Sequence, residues 1–61
     1  MCELIKMISV TIFPRTANVS IDGCLISHIE YTTYKTNNGL ITFYVNGSES
    51  CYVFYDKLEV E

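Results

Sequence analysis

Apolar and polar residues alternate through the first part of the chain, which is the pattern of a half-buried β-strand. Over residues 7–13, one side of such a strand carries Ile8, Val10 and Ile12, and the other carries Met7, Ser9, Thr11 and Phe13. Pro14 has no N–H to donate to a ladder, so the strand ends before it and residues 15–18 form a connection. The pattern predicts a first strand over 7–13 and a second, short one over 19–21.

Three Asx-Gly pairs divide the rest of the chain: Asp22-Gly23, Asn38-Gly39 and Asn46-Gly47. Such pairs favour tight hairpin turns because both residues tolerate a positive φ. They predict further strands over 24–35, 40–45 and 51–60, with 46–50 as the last loop. Helical periodicity is absent over even three turns.

The predicted fold class is therefore all-β: residues 1–61 form one domain, with about five antiparallel strands in a meander that makes a small barrel or a two-layer roll. A chain of 61 residues has room for a single small core. Its composition agrees, because Val, Ile, Thr, Tyr and Phe supply 26 of the residues. The predicted core consists of Ile8, Val10, Ile12, Leu25, Ile29, Phe43, Val45 and Val53.

The turn at residues 37–39 allows two registers. A two-residue Asn38-Gly39 loop pairs Tyr34 with Phe43, whereas a three-residue loop with Gly39 in the left-handed region pairs Thr33 with Phe43. The second register is preferred because it separates apolar from polar positions better. It also places four aromatic residues on the side opposite Phe43: Tyr34, Tyr44, Tyr52 and Phe54.

These four residues, Tyr34, Tyr44, Tyr52 and Phe54, are the predicted protein-binding site. Exposed apolar patches on small proteins mark interfaces, and tyrosine tolerates water before it is buried by a partner. Three occupants are possible at this stage: the first strand of the same chain, a second copy of the chain, or a foreign protein.

Charge argues against nucleic acid as a partner. Four basic residues oppose seven acidic ones, for a net charge of −3, and nucleic-acid binders need many cations to neutralise phosphates. The acidic excess lies in residues 49–61. It is interpreted as a solvated strand end, with attraction to a basic partner surface as the alternative.

Candidate chemistry is sparse. Cys2, Cys24 and Cys51 match no zinc-binding spacing, and an odd number of cysteines predicts free thiols in a reducing compartment. Cys24, His28 and Glu30 are expected on one face of one strand, but positions four apart in a strand are separated by about 13 Å, too far to share an ion or a proton. We expect no enzyme activity, no cofactor and no metal site.

The N-terminal residues do not resemble an export signal, and no apolar run reaches the length of a membrane span. The expectation is a cytoplasmic, non-enzymatic binding protein that contacts a protein partner or itself as a homo-oligomer, with no membrane contact. Its composition is typical of AT-rich coding DNA, which suggests a phage or mobile-element inhibitor that occludes a host or defence protein. The alternatives are a small nucleic-acid-binding β-barrel that stacks bases on exposed aromatics, and a small-molecule-binding oligomer.

Overall fold

The computed structural model describes residues 6–61, and these form seven strands in two sheets. The strand bounds are β1 Ile8–Phe13, β2 Thr16–Ile21, β3 Cys24–Glu30, β4 Thr33–Asn37, β5 Leu40–Val45, β6 Ser48–Phe54 and β7 Lys57–Val60. One sheet has the order β3-β2-β1-β7 and the other β4-β5-β6. Both sheets are open, and they pack as a two-layer roll rather than a closed barrel. The all-β prediction is confirmed.

Two of the five predicted strands, 24–35 and 51–60, bend and pass from one sheet to the other. Each is therefore divided into two strands, β3 and β4 or β6 and β7, so the total is seven. At the first corner, the Tyr31 N–H donates to the Arg15 carbonyl oxygen (3.0 Å) beside the first sheet, and the Thr32 N–H donates to the Tyr44 carbonyl oxygen (2.7 Å) in the second. Strands that switch sheets at such bends make the corners of small β-rolls. The bends keep the backbone hydrogen-bonded while the chain changes layers.

The second corner has the same design. The Tyr55 N–H donates to the Gly39 carbonyl oxygen and the Asp56 N–H to the Ile8 carbonyl oxygen, each at 2.8 Å. Beyond it, β7 lies parallel to β1, with Val10 opposite Leu58. The prediction of a purely antiparallel meander is therefore wrong at this pair.

The connection between β1 and β2 is a two-residue turn, not the predicted loop over 15–18. Phe13 pairs with Thr16, which leaves Pro14 and Arg15 in the turn. Proline presets φ at the first central position of a type II turn, and the next residue must then take a positive φ, as Arg15 does at 69°. Strand β2 consequently starts at Thr16 and brings Ala17 into the core.

All three Asx-Gly pairs form two-residue turns with both residues at positive φ, for example Asn38 at 47° and Gly39 at 82°. The structure therefore has the register that sequence analysis did not prefer: Asn37 pairs with Leu40 and Tyr34 with Phe43. A turn of this type has the twist of the strands it joins, and this outweighs the cleaner separation of apolar and polar residues in the three-residue alternative.

The last hairpin also has a shorter loop than the predicted 46–50. Val45 pairs with Ser48, and a β-bulge follows, because Tyr44 lies opposite Glu49 while Phe43 lies opposite Cys51. The bulge inserts Ser50 and shifts the register by one residue. Cys51 and Val53 thus remain on the same side as Phe43, as predicted.

The core lies between the two sheets. Among residues 6–61, its fully buried members come from three strands, β1, β2 and β5: Val10, Ile12, Ala17, Val19, Ile41 and Phe43. The predicted core residues Ile8, Ile29 and Val53 are partly buried against it. Leu25 and Val45 are predicted core residues that the structure exposes, at 62% and 39%. A bulge in the β2–β3 pair places Leu25 opposite Ser20 on the outer side, and Val45 lies at the open end of β5.

Candidate protein-binding face

Three of the four predicted site residues share the outer side of the sheet β4-β5-β6. Tyr44 follows the buried Phe43 and so points to the opposite side. Tyr52 lies opposite Thr42, and Phe54 lies opposite Leu40, on that same outer side. We call the surface formed by Leu40, Tyr44, Tyr52 and Phe54 the aromatic face.

Tyr34 is not part of this surface. The two-residue turn pairs it with Phe43, so its side chain lies on the inner side of the sheet. Its ring centroid is 5.6 Å from that of Tyr31 and 6.4 Å from that of Phe43. The prediction that Tyr34 shares a face with Tyr44 is therefore wrong, because that prediction depended on the three-residue turn.

The aromatic face is open to solvent at its edge. Tyr52 is 59% exposed and Phe54 is 64% exposed, and their rings meet edge to face with centroids 6.0 Å apart. The first strand does not cover them, because the sheet containing β1 packs on the Phe43 side. Of the occupants left open by the sequence, the first strand is thus excluded for this face.

Toward the middle of the sheet, Tyr44 is half-buried, and the ammonium group of Lys35 lies over its ring. The Nζ atom of Lys35 lies 5.8 Å from the ring centroid, within the range of a cation–π contact. This contact leaves the charge of Lys35 beside the Tyr44 ring, on the side of the sheet that a partner would contact.

The outer side of the other sheet has polar residues on its two central strands, and the exposed Leu25 lies on its edge strand β3. Ser9 lies opposite Ser20, and Thr11 lies opposite Asn18. Strand β7 adds an exposed ion pair there, with Lys57 Nζ 3.3 Å from Glu59 Oε2. The two outer surfaces of the roll thus differ in chemistry, and the aromatic residues are concentrated on one of them.

Cys24, His28 and Glu30 were predicted to share one face of a strand, and this prediction is wrong. The bulge in β3 pairs Cys24 with Ile21 on the inner side and His28 with Asn18 on the outer side. The His28 Nδ1 atom lies 2.6 Å from the Asn18 Oδ1 atom, so the imidazole has a neutral amide as its neighbour. Within residues 6–61, no cluster of three or more potential metal ligands occurs.

An open depression of about 430 Å³ lies beside the first corner. It is lined by Arg15, Thr16, Glu30, Tyr31, Thr32 and Val45. One guanidinium, one carboxylate and three hydroxyls there could hydrogen-bond a polar group, but the lining residues contain no nucleophile with an adjacent base.

Sequence analysis missed the structural role of Tyr31. Its hydroxyl donates to the Phe13 carbonyl oxygen at 2.6 Å, which fastens the first corner to the end of β1. Burial raises the pKa of the Tyr31 hydroxyl, the nearby Tyr34 raises it further, and a hydrogen bond with the Arg15 backbone opposes the rise.

Two aspartates with structural roles were also missed. The Asp56 carboxylate accepts the Ile8 N–H at 2.8 Å, and the Asp22 carboxylate accepts the Met7 N–H at 2.9 Å. Together they hold the beginning of β1 at the second corner and at the β2–β3 turn. Asp56 had been interpreted only as part of a solvated acidic end.

No protein-family model matches the chain, and comparisons with characterised proteins and with solved structures return no match. In the part of the chain that the structure describes, no helix is long and apolar enough to cross a bilayer. Function is therefore inferred from the geometry of the aromatic face.

Proposed function

We propose that this is a small, non-enzymatic binding protein that docks on another protein through the aromatic face. The observation that carries the proposal is the exposure of Tyr52 and Phe54, at 59% and 64%, on a sheet whose other side already forms the core. Large aromatic side chains in water are costly unless a partner buries them, and such residues supply much of the energy of protein interfaces.

The arrangement of the face suits a protein partner. Tyr44 lies on the central strand β5 and the more exposed Tyr52 and Phe54 lie on the edge strand β6. A rigid sheet presents these rings without ordering a loop, so little conformational entropy is lost on binding. Tyr44 is accordingly the expected central anchor, with Lys35 as a polar neighbour at its rim.

The proposed mode of action is occlusion. The aromatic face would cover a surface of its partner, and we propose that the protein inhibits the partner in this way. The AT-rich type of composition favours a phage or mobile element as the source and a host or defence protein as the target.

A nucleic-acid-binding role is the second candidate, since Tyr44, Tyr52 and Phe54 could stack bases. Among residues 6–61, Lys35 is the one cation on this face, and Glu49 lies opposite Tyr44 at its end. Few phosphates could be neutralised there, which makes a protein partner the better fit.

The test compares what three immobilised chains capture from a host lysate: wild type, Tyr44→Ala and Leu25→Ala. Leu25 is an exposed apolar residue, at 62%, on the other sheet, so its substitution is a matched control. We expect a protein that the wild type and Leu25→Ala retain and that Tyr44→Ala loses, with little dependence on salt. Recovery of nucleic acid alone, released steeply by moderate salt, would overturn the proposal.

A further inference from the structure

The four edge strands of the two sheets differ in how they are protected against pairing with another chain. Strand β7 carries Lys57 and Glu59, and β4 carries Lys35. Charged residues on an edge discourage the addition of another strand. These two edges are therefore guarded by charge.

Strand β3 is guarded in a different way. Its second half carries His28 and Glu30, and a bulge interrupts the pairing of its first half with β2. Bulges twist an edge away from a flat partner. Strand β6 has its bulge at Ser50, so residues 51–54, Cys-Tyr-Val-Phe, form a regular stretch without charge. Glu49 and the bulge both lie in the first half of β6, so residues 51–54 are the longest part of any of the four edges with neither kind of protection.

The sequence around Val53 matches itself in the antiparallel direction. Tyr52 and Phe54, both aromatic, flank Val53 on the outer side, and Cys51 and Tyr55 flank it on the inner side. In an antiparallel pair centred on Val53, Tyr52 of each strand would lie opposite Phe54 of the other, and Cys51 opposite Tyr55. Cross-strand aromatic pairs stabilise a sheet, and no like charges would face each other.

We infer that β6 is a dimerisation edge, which pairs antiparallel with β6 of a second copy about a two-fold axis at Val53. The two three-stranded sheets then become one continuous sheet, and the free backbone groups on the edge of β6 find partners. Tyr52 of each copy packs against Phe54 of the other, and the two aromatic faces join into one surface. Tyr44, on the central strand, stays available to a foreign protein.

This inference shares Tyr52 and Phe54 with the proposed function, but it concerns the edge of the sheet and a second copy, whereas Tyr44 is the residue that tests binding of a foreign protein. Its first test is the mass in solution of wild type, Phe54→Lys and Thr33→Lys, by sedimentation over a dilution series. Thr33 is exposed on β4, the opposite edge of the same sheet, and is the matched control.

We expect twice the chain mass for the wild type and for Thr33→Lys, and the mass of one chain for Phe54→Lys. Circular dichroism should give the same β spectrum for all three, because Phe54 is exposed in the single chain. A wild type that stays monomeric at every concentration, or a dimer that survives Phe54→Lys, would overturn the inference. Loss of the dimer in both variants would overturn the assignment to this edge.

The register has its own test, in chains whose three native cysteines are replaced by serine. A Tyr52→Cys chain and a Phe54→Cys chain are mixed and oxidised. We expect disulfide-linked heterodimers, because residue 52 of one copy lies opposite residue 54 of the other. Cross-linking of Tyr52→Cys chains mainly to themselves would contradict the axis at Val53. Capture of a foreign protein by a monomeric Phe54→Lys chain would leave the proposed function standing without the dimer.

Discussion

At the scale of single residues, the neighbours Phe43 and Tyr44 point to opposite sides of β5 and have different roles. Phe43 is fully buried between the sheets, and Tyr44 lies on the aromatic face beside Lys35. Phe43→Ala should lower the free energy of unfolding by about 3 to 5 kcal/mol, comparable to the whole stability of a domain of this size. Tyr44→Ala should leave a cooperative urea transition close to that of the wild type. The reverse pattern would mean that the two sides of β5 are assigned wrongly.

Tyr31 gives the protein a predicted sensitivity to alkali. Because its pKa is raised in the folded chain, the unfolded chain releases the proton first as the pH rises. The stabilising contribution is complete below the pKa of an unfolded tyrosine, about 10, and is lost between that value and the folded pKa. We expect the unfolding free energy of wild type to fall above about pH 10 more steeply than that of Tyr31→Phe. Equal slopes for the two chains would contradict the role given to the hydroxyl.

At the scale of elements, the Asn38-Gly39 turn decides which side chains are buried. Gly39 has a φ of 82°, and a Cβ there would meet the Tyr55 carbonyl oxygen at an ordinary 3.6 Å. The cost of Gly39→Ala therefore comes from the backbone conformation and not from a clash, and should be roughly 1 to 2 kcal/mol. Gly39→Asn should cost less, since asparagine tolerates this region. Thermal unfolding of both variants checks the order, and equal losses would contradict it.

Much of the element pattern could be predicted from the sequence, because alternation and Asx-Gly pairs are local signals. The side of the sheet on which Tyr34 lies could not be predicted from these local signals. One residue more or less in the turn reverses every side chain of a strand, and the apolar pattern of 31–34 fits either register. The bends at Tyr31 and Tyr55 were also beyond the local signals, because they depend on the length of the opposing layer.

At the scale of the whole molecule, one side of each sheet packs against the core, which has six fully buried residues among residues 6–61. The outer side of one sheet has polar residues on its central strands, and the outer side of the other carries Tyr44, Tyr52 and Phe54. Sequence analysis named these three among its four site residues, because their spacing in β5 and β6 keeps the same parity in either register. The two-residue turn places Tyr34 on the inner side of the sheet, so it packs near Phe43 in the core and is not part of the aromatic face.

The most direct measurement of the central claim is the dissociation constant of the captured partner for three purified chains: wild type, Tyr44→Ala and Leu25→Ala. If the aromatic face is the binding site, Tyr44→Ala should raise the constant about 30-fold, equivalent to about 2 kcal/mol for a central anchor, and Leu25→Ala should leave it unchanged. A Tyr44→Ala chain that is folded and binds as tightly as wild type, while Leu25→Ala binds more weakly, would place the binding surface on the other sheet and contradict the proposed function.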